Sequence, residues 1–296
     1  MPEARAALSA CDARVDVLSR SEGIAVHTLV ATQLVAEAAR RQGGSPTSHA
    51  ALGRALMGAI LLGAAGETLQ LQIRGDGPLG ALLAIADGDG HARGCASDPC
   101  AHPTPKRGVL DIAGAIGRGV LSVVRQPHGG GEPWRGTVPL LTGTIAQDLA
   151  HYLRESEQRR AAVGLGVFLS AQGEIEAAGG YLAEALPGAS DTEVTQLEAN
   201  VRHFPGPGEL VREGVDAHGI ADRLLARLGS GQRRCSHPAF QCSCNRERAL
   251  RALCVLGRAE LDRAVRDAET LELHCRFCGQ AYWVPPAELA SQLGAA

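Results

Sequence analysis

Four cysteines near the end of the chain could do chemistry together. They read Cys242-Ser-Cys244, a gap of thirty residues, and Cys275-Arg-Phe-Cys278. Two close-set thiol pairs, brought together by an intervening fold, can surround one Zn²⁺ tetrahedrally with sulfur ~2.3 Å from the metal. The second pair lies in Leu271-Glu-Leu-His-Cys275-Arg-Phe-Cys278-Gly279-Gln-Ala-Tyr-Trp-Val284, which reads as strand, Cys-x-x-Cys turn and strand. Gly279 stands where the turn needs positive φ. In the first pair, an extended strand would place both thiols on one face. A closed set of four thiolates leaves no open position for water, so a catalytic zinc is not expected, nor is an enzyme.

These thiols need elements to position them. Asn245 is suited to cap a helix through Leu250, Leu253 and Cys254, with Cys254 inward and Gly257 stopping it; Leu261, Ala264 and Val265 mark a second short helix. Two helices therefore fill the gap. Their core is small, and a structural zinc, worth ~10–16 kcal/mol near neutral pH, would supply much of the folding energy. Four of the five other cysteines carry weaker signals. Cys235-Ser-His237 offers another ligand set, and His274 adjoins Cys275. Cys254 reads as a small core hydrophobe. Cys95 and Cys100, beside His91 and His102, read as incidental thiols of a surface loop, because Cys-x4-Cys lies outside the tight zinc spacings.

The remainder has the texture of an α+β protein with strands and inserted helices. Strands are expected around Val15–Val17 and Ile24–Val26, a helix from Thr32, and a second helix capped by Thr47 with an apolar stripe of Leu52, Leu56, Met57, Ile60 and Leu61. Glu67–Arg74 alternates cleanly as a strand. Gly75-Asp-Gly77-Pro-Leu-Gly80 matches a dinucleotide fingerprint in form only. Pro78 and the run Ala81–Ala86 read as turn and second strand, where the fingerprint needs a helix. Asp87-Gly-Asp-Gly90 reads as a hairpin turn. Strands at 119–125 and 134–138, a helix from Thr144 to Gln158 and a hairpin about Gln172-Gly173 follow. At Pro187-Gly188 the texture changes. Ser190-Asp-Thr-Glu193 is a capping box, and short broken amphipathic helices carry Val194, Leu197, Val201, Ile220, Leu224, Leu225 and Leu228. Short helices are marginal alone and need a surface to pack on.

The totals bound partners and place. The 296 residues suffice for a proper core, and the net charge of −3 argues against nucleic acid as a main partner. Lys106 is the only lysine. The apolar run Ala55–Ala65 is too short to cross a bilayer, and the N-terminus carries no signal-peptide core, so a cytoplasmic protein without a membrane partner is expected. Nine cysteines in that reducing compartment suit metal binding or redox chemistry better than a permanent disulfide framework.

Taken together the chain resembles the heat-shock protein 33 family of redox-regulated bacterial chaperones over nearly its whole length. The resemblance rests on Cys242-Ser-Cys244-Asn-Arg-Glu-Arg248, Cys275-Arg-Phe-Cys278-Gly279, Gln72-Ile-Arg-Gly-Asp-Gly-Pro78, Tyr152-Leu-Arg-Glu-Ser-Glu-Gln158 and Ala177-Ala-Gly-Gly-Tyr-Leu182. After Gln158 the family usually continues Pro-Thr, where this chain has Arg-Arg-Ala-Ala. The resemblance implies an α+β core of mixed or antiparallel sheet (1–187) that binds clients, a metastable helical linker (188–232) and a small zinc-binding redox-switch domain (233–296). It implies one zinc per chain on Cys242, Cys244, Cys275 and Cys278 in the reduced, resting state. On oxidation it implies disulfides Cys242–Cys244 and Cys275–Cys278, loss of zinc, and an ATP-independent holdase for unfolding client proteins, with dimers favoured on activation. The competing reading is a constitutive zinc-ribbon-like module for RNA or ribosomes. Against it, Tyr282 and Trp283 lack a surrounding basic stripe.

Overall fold

The computed structural model describes residues 11–106, 108–253 and 257–294. In chain order the first elements are β1 (Ala13–Ser19), β2 (Ile24–Val30), α1 (Thr32–Gln42), α2 (Pro46–Leu62), β3 (Glu67–Gly75), β4 (Ala81–Asp87), β5 (His91–Ala96) and α3 (Ile112–Ile116). Next come β6 (Gly119–Pro127), β7 (Trp134–Pro139), α4 (Ala146–Glu155), β8 (Arg160–Leu169), β9 (Ile175–Ala185), α5 (Asp191–Arg202), α6 (Pro207–Arg212) and α7 (Ala217–Leu224). The chain ends with β10 (Ser230–Ser236), β11 (Ala239–Phe240), α8 (Arg246–Leu253), α9 (Arg258–Arg266), β12 (Leu271–His274), β13 (Ala281–Val284) and α10 (Pro286–Gly294). This is the expected α+β class. The described chain divides into two compact units, between Gln241 and Cys242.

The larger unit holds two sheets. One runs β10-β1-β2-β9-β8, antiparallel throughout; the other runs β11-β5-β4-β3-β6-β7, antiparallel except where β11 meets β5. Helix α2 joins them in one core: Leu52, Leu56, Met57, Ile60 and Leu61 pack with Leu29 and Leu182 of the first sheet and Leu69, Leu71 and Ile73 of the second. The expected one-sided stripe is therefore buried on nearly every side, as an all-apolar helix requires. Its cap is Ser45, whose hydroxyl accepts from Ser48 N at 3.0 Å, and Pro46 takes the first helical position. Thr47, the expected cap, is buried and bonded to His102 Nδ1 at 2.8 Å.

The second face of the five-stranded sheet is covered by α5, α6 and α7, whose Leu197, Leu210, Ala217, Ile220 and Leu224 pack on Val15, Val26, Val30 and Ala183. Burial on both faces explains why β2, buried at every position but His27, carries apolar residues on both faces and alternates only weakly. The capping box of α5 forms as expected, Ser190 Oγ accepting from Glu193 N and the Glu193 carboxylate from Ser190 N at 3.0 Å. The segment expected as a linker thus forms a helical layer on this sheet. Residues 230–240 belong to the larger unit, because β10 pairs with β1 and β11 with β5.

Three of the resembling stretches have clear physical roles. The glycine motif is the β3–β4 turn and not a strand-to-helix loop, and its backbone lies against the end of α3: Gly77 N donates to Ile116 O at 2.9 Å and Leu79 N to Ala115 O at 2.9 Å. A Cβ on Gly75 would stand 1.8 Å from Ile116 O, which is why glycine occupies it. Glu157 accepts from Tyr152, Arg125 and Arg159, and Arg159 continues to Glu184 at 2.7 Å. The departing Arg159 therefore completes an ion-pair chain between α4, β6 and β9. Gly179 of β9 admits α6: a Cβ there would meet Pro207 O at 2.8 Å, and one on Gly166 would meet Gly208 N at 2.6 Å. Cys95 lies buried in β5, contrary to the expected surface loop; Cys100 is exposed beyond it. Cys254 lies outside the described residues, and Gly257, expected to stop a helix, stands instead at the start of α9.

Asp12 accepts from Gln33 N at 3.0 Å and Leu34 N at 2.6 Å at the start of α1. Burial outweighs these bonds and pushes its carboxyl up to about 6 from 3.8. The folded carboxyl keeps a proton that the unfolded one loses, so its stabilising contribution is full below pH 3.8 and lost as pH rises through about 6. Carboxyl titration by NMR is expected to give Asp12 a midpoint near 6, and wild type should lose stability relative to Asp12→Asn across that window; a midpoint near 3.8 would contradict this assignment.

Candidate metal centre

The smaller unit has little core of its own. Among the described residues it buries Leu253, Leu261, Ala264, Val284 and Leu289, with Leu250, Val265, Leu271 and Leu273 half-buried against them. Antiparallel β12 and β13, in register from Leu271 opposite Val284 to His274 opposite Ala281, bring their ends together at the Cys-x-x-Cys turn. Cys275 N donates to Gln280 O at 2.9 Å and Gly279 N to Cys275 O at 2.8 Å. Gly279 has φ +71°, the left-handed conformation expected of it.

Cys242 and Cys244 lie in an irregular segment between β11 and α8, and not in the strand expected for that spacing. They are aimed by the head of α8 instead. Asn245 Oδ1 accepts from Arg248 N at 2.8 Å as the expected cap, and Arg248 Nη1 donates to Ser243 O at 2.9 Å. Arg246 donates to Trp283 O at 3.1 Å and pairs with Glu288, tying this segment to β13 and α10.

All four sulfurs lie within 4.8 Å of one another. Cys242 Sγ is 3.6 Å from Cys275 Sγ, and Cys244 Sγ is 3.3 Å from Cys278 Sγ. The edge of a sulfur tetrahedron with ~2.3 Å metal bonds is about 3.8 Å, so a small adjustment would seat one tetrahedral ion. The donor set is four thiols without carboxylate or imidazole, which suits zinc or iron over the hard cations. His274 pairs with Glu272 at 3.0 Å, and His237 Nδ1 lies 3.2 Å from Asp12 O; neither is in this cluster, nor is Cys235.

The protonation pattern reflects crowding of like groups. Burial, reinforced by neighbouring thiols, pushes Cys242 and Cys278 up. Burial opposes ionisation of Cys244 as well, but the Tyr282 hydroxyl donates to its sulfur at 3.2 Å and, with the other thiols as donors, brings it below its ordinary value. Tyr282 is pushed up to about 12 by the same hydrogen bond. Cys244 is thus shifted opposite to Cys242 and Cys278, and a metal cation would favour the thiolate form of each ligand it binds. Tyr282 is a part of the site that cysteine spacing alone does not reveal. Its signal is a phenol four residues past the second Cys-x-x-Cys thiol, on the strand that returns past the cluster.

A second group able to meet a cation is Asp87, Asp89 and His91 at the β4–β5 turn. Asp87 already accepts from Asp89 N at 3.0 Å and His91 N at 2.9 Å, which is the hairpin device expected there. Among the described residues no helix is long and apolar enough to cross a membrane.

Comparison with known proteins places these features in context. A family profile described as Hsp33 protein matches residues 12–285. The chain is 38% identical over 274 residues to the 33 kDa chaperonin of Geobacter sulfurreducens, covering 92% of this chain and 91% of that one. It is 41% identical over 276 residues to the 33 kDa chaperonin of Thermus thermophilus, covering 88% and 80%. The crystal structure of the 33 kDa chaperonin (heat shock protein 33 homolog) from Thermotoga maritima matches with a TM-score of 0.88 at 30% identity, over 96% of this chain and 98% of that one.

Replacing Tyr282 by Phe removes one donor to the cluster without removing a ligand. Outer-shell partners of this kind are worth on the order of tenfold in metal affinity. Competition against a chelator should show that loss for Tyr282→Phe with the fold intact; an unchanged affinity would mean that the hydroxyl contributes nothing to the site.

Proposed function

Because the chain belongs to the Hsp33 family, we propose that it is a cytoplasmic, ATP-independent holdase, silent when reduced and switched on by oxidation of its four clustered cysteines. One observation carries the reading: four sulfurs converge in a unit whose own apolar core, among the described residues, is five side chains. Cys242, Cys244, Cys275 and Cys278 would hold one zinc ion. When bound, the ion stabilises the thiolates and cross-links Cys242-Ser-Cys244 to the β12–β13 turn.

The pairing of the sulfurs decides what oxidation does. Joining Cys242 to Cys275 and Cys244 to Cys278, the pairs already at 3.6 and 3.3 Å, would replace one cross-link by another and keep the unit clipped. Joining Cys242 to Cys244 and Cys275 to Cys278 separates the two halves. Each such disulfide forms as two thiols give up two protons and two electrons, for example to a peroxide that becomes two waters. Both together remove every ligand, and the unit keeps only its small apolar core. Thiol reductants reverse the step.

The consequence for clients runs through the chain. Gln241 joins Cys242 directly to β11 and β10, and these follow the helical layer of α5, α6 and α7. That layer packs on the sheet through modest side chains, and its polar ties to the sheet and its loops include Thr28 Oγ1 to Ala217 O at 2.7 Å, Ser21 to Glu193, and Arg233 to Asp222 and His218 at the edge. Its release would uncover apolar helix faces and the face of the first sheet carrying Val15, Val26 and Val30. Exposed apolar surface of that kind binds unfolding polypeptide without nucleotide.

Zinc content and suppression of client aggregation are to be measured on one sample, reduced and then treated with peroxide under mild heat. Loss of one zinc per chain together with onset of suppression, and disulfides mapped as Cys242–Cys244 and Cys275–Cys278, is the expected result. Zinc retained with unchanged activity would make the cluster a structural clip; binding to RNA that weakens with salt in either redox state would support the ribbon-like module instead. A second variant separates layer from metal. In Gly166→Val the new side chain meets Gly208 of α6, so partial suppression is expected without oxidant while zinc stays bound. A silent Gly166→Val with a measurably displaced α6 would exclude the helical layer as the gate.

A further inference from the structure

Outside the four-thiol cluster, one cysteine is built into a chain of side chains with the geometry of an activated thiol. Cys235 is exposed on β10, the edge strand of the first sheet. Its Sγ lies 3.5 Å from His218 Nε2. His218 Nδ1 is 3.2 Å from Arg233 Nη1, and Arg233 pairs in turn with Asp222. His218 and Asp222 stand one turn apart on α7; Arg233 and Cys235 alternate on one face of β10, opposite Val17 and Val15. Four residues from two elements thus form a relay, Asp222 to Arg233 to His218 to Cys235.

The relay sets the imidazole tautomer. A guanidinium has donors and no lone pair, so His218 Nδ1 must accept from Arg233. The ring proton then sits on Nε2 and points at the sulfur. A donor aimed at sulfur stabilises negative charge there, and the thiolate is the form that oxidants attack. Asp222 pairs with the guanidinium and holds it in place.

We propose that Cys235 is a second oxidant-sensitive modification site, activated by His218 and Arg233, whose modification loosens helix α7 from strand β10. In the first step a peroxide transfers one oxygen to the sulfur: the S–O bond forms, the O–O bond breaks, and hydroxide leaves to be protonated by solvent. The sulfenic acid then condenses with a low-molecular-weight thiol, forming a mixed disulfide and water. The adduct displaces His218 and removes a tie between α7 and the sheet edge. This site is separate from the four-thiol cluster and does not depend on its holding a metal.

The test uses the full chain, reduced and zinc-loaded, given limiting hydrogen peroxide and then glutathione, with each cysteine followed by mass spectrometry. Cys11 and Cys100 are internal controls, since both are exposed and neither sulfur contacts a histidine among the described residues. Cys235 is expected to gain the adduct on the order of tenfold faster than both. His218→Asn should bring it down to their rate while circular dichroism stays unchanged. Faster amide exchange in 217–224 is expected once the adduct forms. Equal rates for the three thiols in the unaltered chain, or a Cys235 rate indifferent to His218→Asn, would overturn the activation; unchanged exchange in α7 on the modified chain would overturn the loosening.

Discussion

The account depends on the meeting of four sulfurs in a unit that has almost nothing else to hold it. Leu253, Leu261, Ala264, Val284 and Leu289 make a core too slight for an independent small domain, and such units commonly rely on a metal or on disulfides. The local chemistry is arranged for convergence: Gly279 turns the knuckle, Asn245 caps the helix beside Cys244, Arg246 ties that segment to β13, and Tyr282 donates to one sulfur. Under the proposed function, ligand and oxidant target would be the same atoms. Such a device would join detection and response, because the reaction that consumes the oxidant would also remove the cross-link.

The larger unit is graded in firmness. Between its sheets, α2 is buried on nearly every side, and the ion pairs of Arg125, Glu157, Arg159 and Glu184 bind the segment between α4 and β8 to both sheets. On the outer face of the first sheet the layer is thinner. Helix α6 is short and seats on backbone at Gly166 and Gly179, and α7 rests on valines, with a threonine bond beneath it and side-chain contacts from His218 and Asp222 to β10 at the sheet edge. The sheet face carrying Val15, Val26, Val30 and Ala183 is the face that this layer covers. A sheet that needs a cover, and a cover held chiefly by small contacts, gives a surface that can be concealed and released without unfolding the central core.

Much of this was legible in the residues, for reasons that are local. Cysteine spacing, a glycine after the second Cys-x-x-Cys thiol, alternation in β3, and the Ser190–Glu193 box are short-range patterns, and the structure follows each. The glycine fingerprint could be set aside because Pro78 and the apolar run after it contradict a helix. What the sequence left hidden is long-range. Ser45 caps α2 although Thr47 is as good a residue type, because Pro46 sets the first turn. Cys95 is carried into β5 by pairing with Leu83, which nothing in its loop-like neighbourhood signals. Cys242 and Cys244 need no strand, since the head of α8 aims them. The contact between Cys235 and His218 joins an edge strand to a helix and leaves no periodic trace.

The most direct measurement of the central claim is amide hydrogen exchange along the whole chain, reduced with zinc and again after oxidation. The account predicts that protection disappears in β12, β13 and α8, and falls in α5, α6 and α7, while α2 and β3 keep theirs. Protection of β12 and β13 that survives oxidation of all four cysteines would contradict it, because the cluster would then not be what holds the smaller unit together.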